Sequence, residues 1–90
     1  MEATRITSPA NVSLKLWRKL QNSRKERYRH KQILIDGEHL LIEARQSGCH
    51  FYAYLIDEEQ TVPDGWRRWL AEHRVPVYAI RSSLYRELMQ

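Results

Sequence analysis

The sequence predicts an α/β protein, a three-layer α/β/α sandwich on a small, mainly parallel sheet. Three observations carry that reading. Segments with helical spacing alternate with short strand-like runs, the order expected of parallel strands covered by helices on both faces. The strand-like runs, at 33–35, 50–56 and 77–80, are nearly continuous in apolar and aromatic residues rather than alternating, as doubly covered strands require. The chain has 90 residues, 42% of them hydrophobic, and no internal repeat, which suits one domain around one core.

Taken in order, Ser8-Pro9 reads as the start of a first helix, with Val12, Leu16 and Leu20 on one stripe and Trp17 beside them. Asn22-Ser23 interrupts it. Ser23-Arg24-Lys25-Glu26 then has the pattern of a capping box, opening a second, short helix whose one large apolar residue is Tyr28. Ile33-Leu34-Ile35 reads as a buried strand ended by the Asp36-Gly37 turn. A helix from Glu38 to Gln46 follows, capped by Asp36, with Leu41, Ile42 and Ala44 inward and Gly48 as its stop. His50 to Ile56 is the second strand, and Asp57 to Gln60 a solvated loop. Pro63-Asp64-Gly65 opens a helix in which Trp66, Trp69, Leu70 and His73 share one face. Val77 to Ile80 is the third strand, and Ser82-Ser83 cap a last helix with Leu84 and Leu88 on one side.

The net charge of +4 hides a split. Residues 1–31 carry nine basic residues against Glu2 and Glu26, or +7, whereas residues 32–90 carry six against nine acids, or −3. The chain thus divides into a basic helical segment, 1–31, and an α/β body, 32–90. Lys15, Arg18, Lys19, Arg24, Lys25, Arg27, Arg29 and Lys31 fall in one stretch with a single acid, Glu26. Arg24 and Lys25 follow Ser23 directly, where the helix dipole disfavours positive charge by about 0.3–1 kcal/mol each. A solvated helix face normally mixes signs, so this run points to a polyanion, nucleic acid before an acidic protein or a membrane surface. Half of the eight cations are arginines, suited to bidentate phosphate contacts and to stacking on unpaired bases, both prominent in RNA recognition. Tyr28, alone among charges, is the aromatic best placed against a base or ribose. Trp69 reads as core packing, with Trp66 the more available of the two.

Other chemistries find little support. No apolar run approaches the roughly 20 residues of a membrane-spanning helix, and Met1 to Arg5 leads into no secretory apolar stretch. Cys49 is the sole cysteine, which excludes an internal disulfide and points to a reducing, cytoplasmic setting. Cys49 itself reads as a small core residue. His30, His39, His50 and His73 lack metal-ligand spacing, and three glycines hardly build a phosphate loop. No metal and no cofactor is therefore expected within these residues.

The order of residues is itself informative. Ile6-Thr7-Ser8, Asn11, the Leu16/Leu20 helix, Arg24-Lys25 with Arg27, Ile33-Leu34-Ile35-Asp36-Gly37-Glu38, Glu43-Ala44 and Gly48 occur in succession. This resembles the N-terminal substrate-binding domain of SpoU-type RNA ribose 2′-O-methyltransferases over nearly the whole chain, with Asp36 where that family usually has glutamate. The resemblance implies an α/β/α fold related to a ribosomal-protein RNA-binding fold, and ribosomal or transfer RNA as partner. It implies RNA contact by Arg24, Lys25 and Arg27, and places Asn11, Asp36 and Glu38 near RNA. It also implies a separate catalytic domain that binds S-adenosylmethionine and dimerises. The cofactor loops of that domain have no counterpart in these residues, so this chain is not expected to methylate RNA alone. The alternatives are a free-standing RNA adaptor of the same fold and a protein-interaction domain using Trp66 and Trp69. Kink-turn binders of the fold usually show Gly-x-Asn-Glu/Lys at the first strand–helix turn, where this chain reads Asp36-Gly37-Glu38-His39.

Overall fold

The computed structural model describes residues 2–90. Their order is β1 (Ala3–Ile6), α1 (Val12–Asn22), α2 (Arg24–His30), α3 (Glu38–Gln46), β2 (Tyr54–Asp57), α4 (Asp64–Glu72), β3 (Val77–Ile80) and α5 (Ser82–Leu88). The three strands form one parallel sheet in the order β1-β3-β2. Ile6 aligns with Ile80, and Tyr54 with Val77.

Strand pleating divides the core. Val77 and Ile80 are three apart on the central strand and so point to opposite faces. On one face Ile80 joins Ile6, Leu14, Trp17 and Leu20 of α1, and Leu84 and Leu88 of α5. On the other, Val77 packs with Trp66, Leu70 and Val75, and Leu41 of α3 closes against them. Helices therefore cover both faces, and the α/β/α reading holds, with every strand pair parallel.

Several boundaries differ from the sequence expectations. β1 was not expected; its only buried residue is Ile6, and a partner distant in sequence, β3, makes it a strand. Residues 32–36 run without regular structure, so the expected Ile33–Ile35 strand does not form, and Ile33 is exposed. An apolar run becomes a strand only where an edge pairs with it. Here a cavity of about 310 Å³ lies between this run and β2, lined also by Leu41, Phe51, Tyr85 and Met89. β2 begins at Tyr54 rather than His50. The Tyr54 amide donates to the Pro76 carbonyl (2.9 Å), and Pro76 has no N–H for a further rung.

The caps shift as well. α1 starts after Asn11, whose side chain accepts from the Leu14 amide (3.0 Å), while Ser8 Oγ accepts from Ala10 in the preceding turn. The buried stripe of α1 is accordingly Leu14, Trp17 and Leu20, and Val12 is exposed. Gly37, not Asp36, precedes α3, and no side chain caps that helix. Its φ of +104° is a conformation that favours glycine. Cys49 is exposed rather than core. It follows Gly48 at the end of α3, where the amides of Gly48 and Cys49 return to Arg45 and Ala44 in a Schellman motif.

Ser82 is the first residue of α5 and not its cap; its hydroxyl donates instead to Asp57 at the end of β2. The Glu59 amide donates to the same oxygen (3.0 Å). These two bonds, the backbone one first, hold the Asp57 carboxyl below its ordinary value. A depressed carboxyl stabilises the fold at pH above its unfolded value of about 3.9, and that stabilisation disappears as pH falls through the lower folded value. The urea midpoints of the native protein and of Asp57→Asn are therefore expected to converge on acidification below about pH 4. A gap that stays constant down to acid unfolding would exclude the linkage.

Candidate nucleic-acid interface

Burial of Leu14, Trp17 and Leu20 turns Lys15, Arg18, Lys19 and Asn22 toward the opposite side of α1. Two of these positions are tied locally: Arg18 Nη1 donates to the Pro9 carbonyl (3.0 Å), and Asn22 Nδ2 to Arg18 O (3.0 Å). Asn11 is engaged as the α1 cap. Lys15 and Lys19 have no ion-pair or side-chain hydrogen-bond partner among the described residues.

α2 follows after one residue. Ser23 Oγ accepts from the Glu26 amide (3.2 Å), the forward half of the expected capping box. No residue of α2 is buried. Glu26, its sole acid, lies 3.4 Å from His30 Nε2 and 3.9 Å from Arg29 Nη1. Arg27 is half-buried and turned inward: its Nη1 donates to Leu20 O (2.7 Å) and Gln21 O (3.4 Å), the open carbonyls at the end of α1. Its first role is thus to clamp α2 onto α1. Arg24, Lys25 and Lys31 have no ion-pair or hydrogen-bond partner for their side chains among the described residues, and Arg24 leans over the Tyr28 ring at 5.7 Å.

Positions 24, 27, 28 and 31 share one side of α2 and its C-terminal turn, where they line an open cleft of about 430 Å³ with Gln32 and Ile33. The structure thus brings Arg24, Arg27, Tyr28 and Lys31 together. Lys15, Arg18, Lys19, Lys25, Arg29 and Asn11 lie outside that cleft on α1, α2 and the approach to them. Asp36 and Glu38 belong to a different neighbourhood, the turn beside Tyr54 and Tyr85. Burial raises the pKa of both phenols, with Glu38 adding to the effect at Tyr54 and Asp36 at Tyr85. Ile33, which the sequence pattern assigns to a strand, and Gln32, which it assigns to no element, are cleft residues; the available signal is their position directly after the basic run.

The tryptophans are committed to packing. Trp17 meets Tyr78 edge-on at 4.9 Å. Trp66 is more deeply buried than Trp69, the reverse of the expected order. Both lie under the Arg45 guanidinium, at 5.1 and 5.2 Å, and Trp69 stacks on His73 at 4.1 Å. No helix of the described residues is long and apolar enough to cross a membrane.

Among families of known proteins, the model described as MRM3-like substrate binding domain matches residues 11–90. No curated protein and no solved structure matches the chain significantly.

Proposed function

The chain belongs to the MRM3-like substrate binding domain family, and from that premise we propose that it binds structured RNA, ribosomal or transfer, on the faces of α1 and α2. In this reading the domain positions RNA for ribose 2′-O-methylation by a separate, S-adenosylmethionine-dependent domain, within a cytoplasmic enzyme that dimerises through that domain. It supplies grip and orientation and takes no part in the chemical step.

The observation that carries the proposal is the set of five cations, Lys15, Lys19, Arg24, Lys25 and Lys31, whose side chains have neither an ion-pair nor a hydrogen-bond partner among the described residues. Unneutralised charge gathered on adjacent helices, whose one acid, Glu26, already faces Arg29 and His30, is the electrostatic footprint of a phosphate backbone. Arg18, Arg27 and Arg29 add to the field while holding local structure. Phosphate contacts of this kind set register rather than sequence.

Salt dependence tests the reading. Five phosphate contacts predict that the logarithm of affinity for single-stranded RNA falls by about 3.5 for each tenfold rise in salt. RNA binding that is absent at low salt, or indifferent to salt, contradicts the proposal.

A further inference from the structure

We infer that the cleft between α2 and residues 32–33 is a subsite for one unpaired nucleobase of the RNA. The inference rests on the RNA-binding reading and narrows it to nucleotides outside a duplex.

The lining of the cleft combines two features that separately mean little. Tyr28 is 70% exposed and Ile33 68% exposed, one on each of the two segments that form the walls. Single exposed apolar residues are ordinary on a protein surface. These two share one cleft with Arg24, Arg27 and Lys31, and the lining contains no acid. A phosphate alone would be served by the cations and the Tyr28 hydroxyl, and would gain nothing from the face of the ring or from an isoleucine. A nucleotide uses both, its base against the apolar walls and its phosphate toward the charges. Base faces inside a duplex are already stacked on their neighbours, so only an unpaired base has a face to offer Tyr28.

Two further details agree. Arg24 also lines the cleft, its guanidinium carbon 5.7 Å from the Tyr28 ring centroid, so cation and ring are close enough to meet the same nucleotide. Lys31 adopts φ +55° at the end of α2, a left-handed position where glycine is the low-cost choice. The chain keeps lysine there, and that residue lines the cleft.

The test compares the native chain with Tyr28→Ala and Tyr28→Phe, by fluorescence anisotropy against an unstructured oligouridylate, an RNA duplex of equal length and polyglutamate. Tyr28→Ala is expected to weaken the oligouridylate by at least about fivefold, the lower end of base–aromatic stacking. Duplex affinity, set by phosphate contacts, is expected to stay within about twofold, and Tyr28→Phe to keep most of the single-strand affinity. Equal loss on single strand and duplex, equal loss on polyglutamate, or no loss at all overturns the subsite and leaves the basic face standing. A native chain that binds neither RNA overturns the basic face and the subsite together. Both substitutions fall on an exposed side chain of α2, and unchanged circular dichroism checks that the fold persists.

Discussion

Reversing Arg24 and Lys25 to glutamate is expected to cut RNA affinity by at least about 100-fold while leaving the melting temperature unchanged or slightly raised. The two halves of that expectation have separate causes. Both residues are exposed and neither makes an ion pair or side-chain hydrogen bond among the described residues, so their replacement removes no contact that holds the fold. Both sit in the first turn of α2, where glutamate suits the helix dipole by about 0.3–1 kcal/mol each. On the RNA side, a lost charge-assisted bond costs about 1.5 kcal/mol or more at each position, and the new carboxylates repel phosphate besides. The salt slope for a single strand should shrink by about 1.4, two contacts' worth. Arg27 should behave in the opposite way. Arg27→Met removes the bonds to Leu20 O and Gln21 O, costs about 1.5 kcal/mol, and lowers the melting temperature by roughly 6–12 °C for a domain of this size. Its effect on the salt slope should be the smaller one. If the Arg24/Lys25 double variant binds RNA like the native chain, the interface lies elsewhere.

The largest stability effect is expected at Trp66. This side chain is 3% exposed and sits at the centre of the α4 face, within 5.8 Å of the Phe51 and Tyr54 rings and 5.7 Å of Trp69. It also carries Arg45, which reaches across from α3 to donate to Gly65 O (3.0 Å). Trp66→Ala therefore removes the filler of one half of the core and a platform that ties α3 to α4. The expected loss is about 3–5 kcal/mol, a large part of the roughly 5–13 kcal/mol that a chain of this length commands. Thermal unfolding followed by circular dichroism should show a fall of at least about 12 °C. A loss under about 1.5 kcal/mol would show that this half of the core repacks.

The contrast between these residues shows what the sequence could convey. Charge is a local property, and the basic run, the Ser23 cap and the exposure of Tyr28 were all legible from neighbouring residues. The helices were legible too, because 3.6-residue spacing is written along the chain; α3 and α4 fall within a residue of expectation. Strand pairing is not local. Ala3–Ile6 contains one buried residue and becomes a strand because β3 offers it an edge, whereas Ile33–Ile35 has the better composition and no partner. The same blindness hid part of the cleft. Ile33 looked like core because it is an isoleucine in an apolar run, and the absence of pairing is what frees it to line the surface beside Tyr28. Arg27 was indistinguishable from its neighbours by type, and only the end of α1, seven residues back, tells it apart.

α2 carries four of the chain's fifteen Lys/Arg side chains and buries none of its residues. Packing therefore contributes little to keeping it helical; a serine cap and one guanidinium clamp do most of that work. Seven residues are too few to hold a helix in water unaided. In native-state hydrogen exchange, α2 should accordingly open at a free energy well below that of the sheet, as its own small cooperative unit. Under the proposed binding mode, ordering α2 is part of the cost of recognition, and contact with RNA is expected to hold the helix closed. The expected readout is slowed amide exchange at positions 24–30 in the complex.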